Sequence, residues 1–463
     1  MIISEQQIKQ SDFLNGLREY QIRYGDNWIY TLPFSPIFII LSEYEKGELE
    51  KDLIELSNLY SVATDLYLIS LNNSRYEWIR ECVESNLSPY QIIATQITSK
   101  NKNTPEMTRV DYICCDNDYR KIAEIQWKSG GPGFLIGHDL IYRKLFQSET
   151  TTQPFGNLVN GYLLKLKELT SISRSEGCVI NEVRRDWLLG EDFLTSQAKD
   201  LGFTYIPINR DNLTEKLNIN EVGKFFYKEF AFPISVLRGR GFSDIISGDV
   251  LLSLVNSVVN KELWIEIPIN YIYRQKWPMA LPFHPDFKYM FSDRLRNILA
   301  PTITIHHTSL DFSPIIEYFP YNYREKLMSV SEVGNLLSLP ESIRRMLIFK
   351  NSNSTGDLHN RGRGVFRLTG SQGYVKHILA QIIESIENKN QFWIIQPYIS
   401  RKYSVPFLDG EVHYQKICNS RFMLFGERNG CSWSAQGALA NFSKNWKVTG
   451  SNETSLVSVR ICS

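Results

Sequence analysis

The chain has no excess charge of either sign: 51 lysines and arginines are matched by 50 aspartates and glutamates. No overall field therefore draws it to a nucleic acid or an anionic membrane, and any basic function must be local. No CxxC pair is present. The cysteines Cys82, Cys114, Cys115, Cys178, Cys418, Cys431 and Cys462 are scattered and odd in number, which argues against a zinc site and against a disulfide framework. Cys114 and Cys115, neighbours on a predicted strand, point to opposite faces and read as small packing residues. Long apolar runs are missing too. The most apolar early stretch, IYTLPFSPIFIIL, is too short and proline-broken to span a bilayer, and MIISEQQIKQSDF lacks the basic and apolar regions of a secretory signal. No repeat, low-complexity segment or Walker A sequence appears. The expectation is a cytoplasmic globular protein whose 463 residues suffice for two or three domains.

What is present is an order of patterns. Residues 1–100 mix helical periodicity with short apolar runs, and residues 109–133 read as a hairpin followed by a glycine turn. From about residue 155 to 300, helix and strand patterns alternate at α/β spacing, as in a Rossmann-like unit. The last third differs: RRMLIFK, a polar loop rich in Gly, Asn, Ser and Arg, GVFRL, a helix, and FWIIQPYI.

In RVDYICCDNDYRKIAEIQW, a four-residue loop at 116–119 pairs Cys115 with Arg120 and Ile113 with Ile122, and it sets Asp111 opposite Glu124. Strand alternation brings Gln126 to the same face. Two carboxylates facing each other across a strand pair repel. A divalent cation between them would explain the arrangement, and so would an ordinary solvated hairpin face.

In LIFKNSNSTGDLHNRGRGVFRL, the glycines Gly356, Gly362 and Gly364 let backbone N–H groups approach a phosphate, and Lys350, Arg361 and Arg363 add positive charge. A mobile surface hairpin has the same composition. The following helix places Val375, Ile378, Leu379, Ile382, Ile383 and Ile386 on one face, so its role is structural. The strand after it stops at Pro397, and such an end can hydrogen-bond an adenine edge through the main chain around Gln396, Tyr398 and Ile399.

Strand, lysine, glycine-rich loop, strand, helix and an apolar strand ending in Gln resemble the nucleotide-binding half of ATP-grasp enzymes. The hairpin is similar to the segment where that family holds Mg²⁺, here Asp111, Glu124 and Gln126. Its place ahead of the nucleotide loop resembles the circularly permuted members, relatives of glutathionylspermidine synthetase. The resemblance implies an α/β (α+β) fold in three parts: 1–154 with the Mg²⁺-binding half of the core, 155–300 as a Rossmann-like pre-ATP-grasp domain, and 301–463 as the nucleotide-binding lobe with the rest of the core. It implies ATP and Mg²⁺ as cofactors, and a carboxylate and an amine, small molecule or peptide, as substrates joined through an acyl phosphate. No nucleic acid or membrane is among the implied partners, and a homodimer is compatible with them. Lys350 and the loop would hold phosphates, Arg421 matches a phosphate-facing arginine, and Asn441 is a polar metal or substrate contact. Gly130 and Gly131 would let substrate approach the main chain beside the metal, and Arg109, Arg238 and Arg240 are candidate carboxylate clamps. The sequence departs from the family in having Gln126 for Asn and Asn351 for Pro, and Lys276 and Lys326 compete as second phosphate lysine.

Two rivals remain. Asp111, Glu124 and Lys128 resemble the D…(D/E/Q)xK set of Mg²⁺-dependent nucleases. A non-catalytic ATP-grasp scaffold is the other. His306 and His307 read as packing or surface residues.

Overall fold

The computed structural model describes residues 2–5, 15, 35, 37–114, 120–127, 136–143 without 138 and 141, 152–172, 177–183, 191–209, 212–219, 224–228, 233–239, 248–266, 268–305, 307–352, 364–389, 391–409, 412–446 and 454–462. The front of the chain supplies strands β1 (Ile2–Glu5), β2 (Ile37–Leu41), β3 (Met107–Cys114), β4 (Arg120–Gln126) and β5 (Thr152–Pro154). The middle supplies β6 (Cys178–Val183), β7 (Tyr205–Asn209), β8 (Leu217–Ile219), β9 (Phe225–Tyr227), β10 (Ile234–Arg238) and β11 (Trp264–Ile265). The last third supplies β12 (Ile303–Ile305), β13 (Leu347–Asn351), β14 (Val365–Arg367), β15 (Trp393–Pro397), β16 (Lys402–Asp409), β17 (Val412–Asn429), β18 (Ser432–Ser443) and β19 (Thr454–Cys462). Mixed helices and several separate sheets make this an α+β fold.

The largest sheet runs β1-β2-β19-β18-β17-β3-β4, with β16 also on β17 and β5 also on β19. It therefore joins the front of the chain to its end. Strand alternation gives it two faces. On one, Val110, Tyr112, Phe422, Leu424, Ala440 and Phe442 pack with Leu53, Leu56 and Tyr60 of helix α1 (Glu43–Ser70). That helix starts at a capping box, in which Ser42 Oγ accepts from the Glu45 N–H and the Glu45 carboxylate accepts from the Ser42 N–H. A second capping box, Ser88 with Gln91, and Pro89 in the first turn start α2 (Pro89–Lys100).

The opposite face is divided. Half of it, Met107, Met423, Phe425, Leu439 and Leu456, is apolar and lies under α3 (Leu158–Ile172), whose Leu158, Tyr162, Leu163 and Leu166 complete that cluster. Two glycines permit the close helix approach: a Cβ on Gly426 would lie 2.7 Å from Leu53, and one on Gly437 would lie 2.6 Å from Leu158. The other half of this face carries Arg109, Asp111, Arg421 and Asn441, in register across β3, β17 and β18.

The α/β alternation from 155 to 300 forms a parallel sheet, β11-β10-β6-β7, with α4 (Glu191–Asp200) between β6 and β7 and α5 (Gly248–Val259) between β10 and β11. A third sheet, β12-β15-β13-β14, is antiparallel. Helix α6 (Gln372–Lys389) buries Val375, Ile378, Leu379, Ile382 and Ile386 in the same cluster as Phe349 and Ile395 of that sheet, as its periodicity predicts. Cys82, Cys178 and Cys418 are buried and free, in keeping with a packing role. Among the described residues, no helix is long and apolar enough to cross a membrane.

Candidate functional site

The hairpin β3–β4 pairs Asp111 with Glu124 and Arg109 with Gln126, as its alternation predicts. Beyond Asp111 the register differs from expectation. Tyr112 faces Ile122, Ile113 faces Lys121 and Cys114 faces Arg120, so Ala123 is one extra residue on β4. The bulge has a packing cause. Without it Ile122 would share the polar face with Ile113; with it, Ile122 joins Tyr112 in the core beside α1. The Ala123 carbonyl accepts a hydrogen bond from Lys350 Nζ at 2.7 Å, across 227 positions of chain. Residues 115–119 at the hairpin tip lie outside the described residues.

Asp111 is buried, and both of its oxygens are engaged. Arg109 grips it with two bonds, Nε to Oδ1 at 2.8 Å and a terminal nitrogen to Oδ2 at 3.0 Å; Arg421 adds a third to Oδ2 at 3.2 Å. Burial opposes the Arg109 charge, but the Asp111 carboxylate more than offsets it, so the pKa lies above its usual value. For Arg421, burial prevails over the attraction of Asp111 and the pKa is lowered. Among the described residues, the buried Nε of Arg421 and the buried Oδ1 of Asn441, its cross-strand neighbour, have no hydrogen-bond partner.

Glu124 sits 3.6 Å from the ammonium of Lys276 and keeps 31% of its side chain open. Burial works against its charge, yet Lys276 and Lys350, then Arg109 and Arg421, hold its pKa down at about 2. Lys350 shows the reverse. Burial lowers its pKa to about 8, with Glu124 opposing and Lys276 reinforcing the shift. Lys276 is set in place by Ser352, whose hydroxyl accepts from the Lys276 and Trp277 N–H groups at 3.2 and 2.8 Å. Lys326, the alternative second lysine, is exposed on the helix Tyr321–Met328. Among the described residues, four cations thus surround two carboxylates, an excess of two positive charges.

Other expected residues lie elsewhere or are already bonded. Gln396 is buried and donates to Thr302 Oγ1 at 2.8 Å. The Tyr398 N–H donates to Met346 O at 2.6 Å, and its ring lies 3.6 Å under the Arg367 guanidinium, so that N–H is not open to a base. Ile399 is half-buried beside it, and the Gly364 carbonyl accepts from Asn351 N–H. Arg238 is on β10, bonded to Glu266 at 2.5 Å and to Asn181 at 2.7 Å, with Tyr162 5.0 Å away. It is not part of the cluster around Asp111. Lys128, Gly130, Gly131, Arg240, His306, Gly356, Arg361, Gly362 and Arg363 lie outside the described residues. Sequence reasoning missed Ser352 and the bulged Ala123 carbonyl. A buried Ser two residues after Lys350 is the one signal available for the first, and nothing in the residue types marks the second.

The donor set falls short of a resident divalent ion. Asp111 has given both oxygens to guanidinium groups, and among the described residues Glu124 is the one carboxylate left on that face, with the amide oxygens of Gln126 and Asn441 as neutral donors. Among the described residues, no three His, Cys, Asp or Glu side chains converge. What the arrangement offers is a concentration of positive charge that attracts an oxyanion.

A solved structure of similar fold is that of a glutathione synthetase-like effector from Globodera pallida in its apo form. The TM-score is 0.57 at 11% identity, over 98% of this chain and 97% of that one. No protein-family model and no curated protein matches the sequence. The likeness, spread over both whole chains, is one of fold.

Proposed function

We propose that the protein is a circularly permuted ATP-grasp ligase that joins a carboxylate to an amine at the expense of ATP. One observation supports this above the rest: Lys350, on the strand that leads into the glycine-rich loop, bonds the hairpin of Glu124 from the far end of the chain. In this reading 1–154 carries the Mg²⁺-binding half of the core, 155–300 is the pre-ATP-grasp domain and 301–463 is the nucleotide-binding lobe with the rest of the core. The full-length likeness to a glutathione synthetase-like fold agrees.

In such a reaction a carboxylate oxygen takes the terminal phosphoryl group, ADP leaves, and the amine nitrogen displaces phosphate from the acyl phosphate. The demands on the protein are positioning and charge neutralisation. Lys350 and Lys276 hold phosphate oxygens and Glu124 keeps both lysines oriented. Arg421 and Arg109 face the oxygens that gain charge during transfer. Mg²⁺ would enter with the nucleotide, as part of the substrate.

A second reading has an observation behind it. With Gln396 and the Tyr398 N–H already bonded internally, a non-catalytic scaffold of the same fold is the alternative. Incubation with ATP, Mg²⁺ and pools of amino acids, amines and carboxylic acids separates the two. Substrate-dependent ADP release that Lys350→Ala removes supports the ligase; nucleotide binding without turnover in any pool supports the scaffold.

A further inference from the structure

The binding of Asp111 conflicts with the role its position suggested. A metal ligand needs a free oxygen, and both Asp111 oxygens accept from guanidinium groups: Arg109 through two nitrogens and Arg421 through one. The carboxylate is 1% exposed, and withdrawing it toward a cation would leave two largely buried guanidinium groups without their counter-charge. The same bonds fix the planes of both arginines, whose side chains have many rotamers when free. Among the described residues, Arg421 still has an unpartnered buried Nε, and Asn441 beside it an unpartnered buried Oδ1. Lys276 and Lys350 complete the positive cluster, each buried, with Glu124 between them.

We infer that Asp111 is a positioning residue. It holds Arg109 and Arg421 as a preformed receptor for the phosphate chain of a nucleotide, and this receptor works without a divalent cation. The inference deepens the ligase reading and rests on it only for the identity of the nucleotide. It separates the two roles of Asp111 by sign. If Asp111 served only as a metal ligand, its neutralisation in the absence of metal would remove a negative charge from an anion site and tighten binding. If it positions the arginines, neutralisation loosens binding.

The test is calorimetric titration of the full chain with inorganic tripolyphosphate in EDTA. The expected result is binding by the wild type that weakens about tenfold or more in Asp111→Asn. No binding in EDTA, or unchanged or tighter binding by Asp111→Asn, overturns the inference. Should Asp111→Asn fail to fold, Arg109→Lys and Arg421→Lys ask the same question. Both keep the charge and lose the fork, and tenfold weaker binding supports the inference while wild-type affinity overturns it. The ligase reading fails separately: tripolyphosphate binding without any ADP release sinks that reading and leaves the receptor standing. ADP release with no binding in EDTA does the reverse.

Discussion

Two buried arginine clusters, built from the same residue types, differ in their charge balance. On β10, Arg238 meets Glu266 at 2.5 Å and Asn181 at 2.7 Å, and Asn181 and Tyr205 both donate to Glu191 at 2.7 and 2.6 Å. One cation there faces two carboxylates. Burial raises the Glu191 pKa; burial also opposes the Arg238 charge, and Glu266, Tyr162, Tyr205 and Glu191 together more than offset that cost. Around the β3–β4 hairpin, among the described residues, four cations face two carboxylates: Arg109 and Arg421 beside Asp111, and Lys276 and Lys350 beside Glu124. Among the described residues the first cluster has no excess of cations and reads as structural. The second is balanced only when an anion arrives, and that difference, more than the presence of arginine, distinguishes a site from a strut.

The comparison can be broken at several points. The largest effect is expected from Lys350→Ala, which removes the cation that joins the two ends of the chain at the site. ADP release should fall at least about a hundredfold, by the loss of charge neutralisation in phosphoryl transfer, with an unchanged circular dichroism spectrum. Glu266→Gln should break the buried ion pair of Arg238, leaving Glu191 as its remaining counter-charge, and cost about 3 kcal/mol of stability. Tripolyphosphate should not restore that loss, whereas it should raise the melting temperature of the wild type. A melting temperature insensitive to tripolyphosphate in both proteins would erase the distinction between the clusters.

Titration gives a smaller effect with a defined sign. Lys350 loses its proton near pH 8, so tripolyphosphate affinity should fall as the pH rises through about 8, and Lys350→Met should remove that inflection. Lys350 also sets a stability trend, because its pKa is lower in the folded state than the ordinary 10.5. Its contribution is fully present above about 10.5 and is lost as the pH falls through about 8. Glu124, at about 2 against 4.5, contributes stability above about 4.5 that is lost as the pH falls toward 2. The smallest change is Gly437→Ala, which crowds Leu158 and should cost about 1 to 3 kcal/mol by overpacking. It should leave tripolyphosphate affinity unaltered, because it strikes the apolar half of the face.

Much of the fold was legible because its signals are periodic. The helix at 372–389 and the alternation from 178 to 265 follow from spacing. The facing of Asp111 and Glu124 was read correctly, but the loop-based register beside it was not: Cys114, not Cys115, faces Arg120, and the bulge at Ala123, which answers to the packing of Ile122 against another element, makes up the difference. The choice of Lys276 over Lys326 needed the contact with Ser352, 76 positions away, which no local pattern encodes. Arg109 was read as a substrate clamp. Its position two residues before Asp111 on the same strand face, which turns it toward that carboxylate, was the overlooked signal.

The central claim is that the front hairpin and the strand of Lys350 line one nucleotide cleft. A crystal structure of the full chain with a non-hydrolysable ATP analogue tests it most directly. The account predicts phosphate oxygens within hydrogen-bonding distance of Lys350, Lys276 and Arg421, with Asp111 still held by Arg109. An analogue bound at another surface, or a phosphate chain that touches none of these cations, would contradict it.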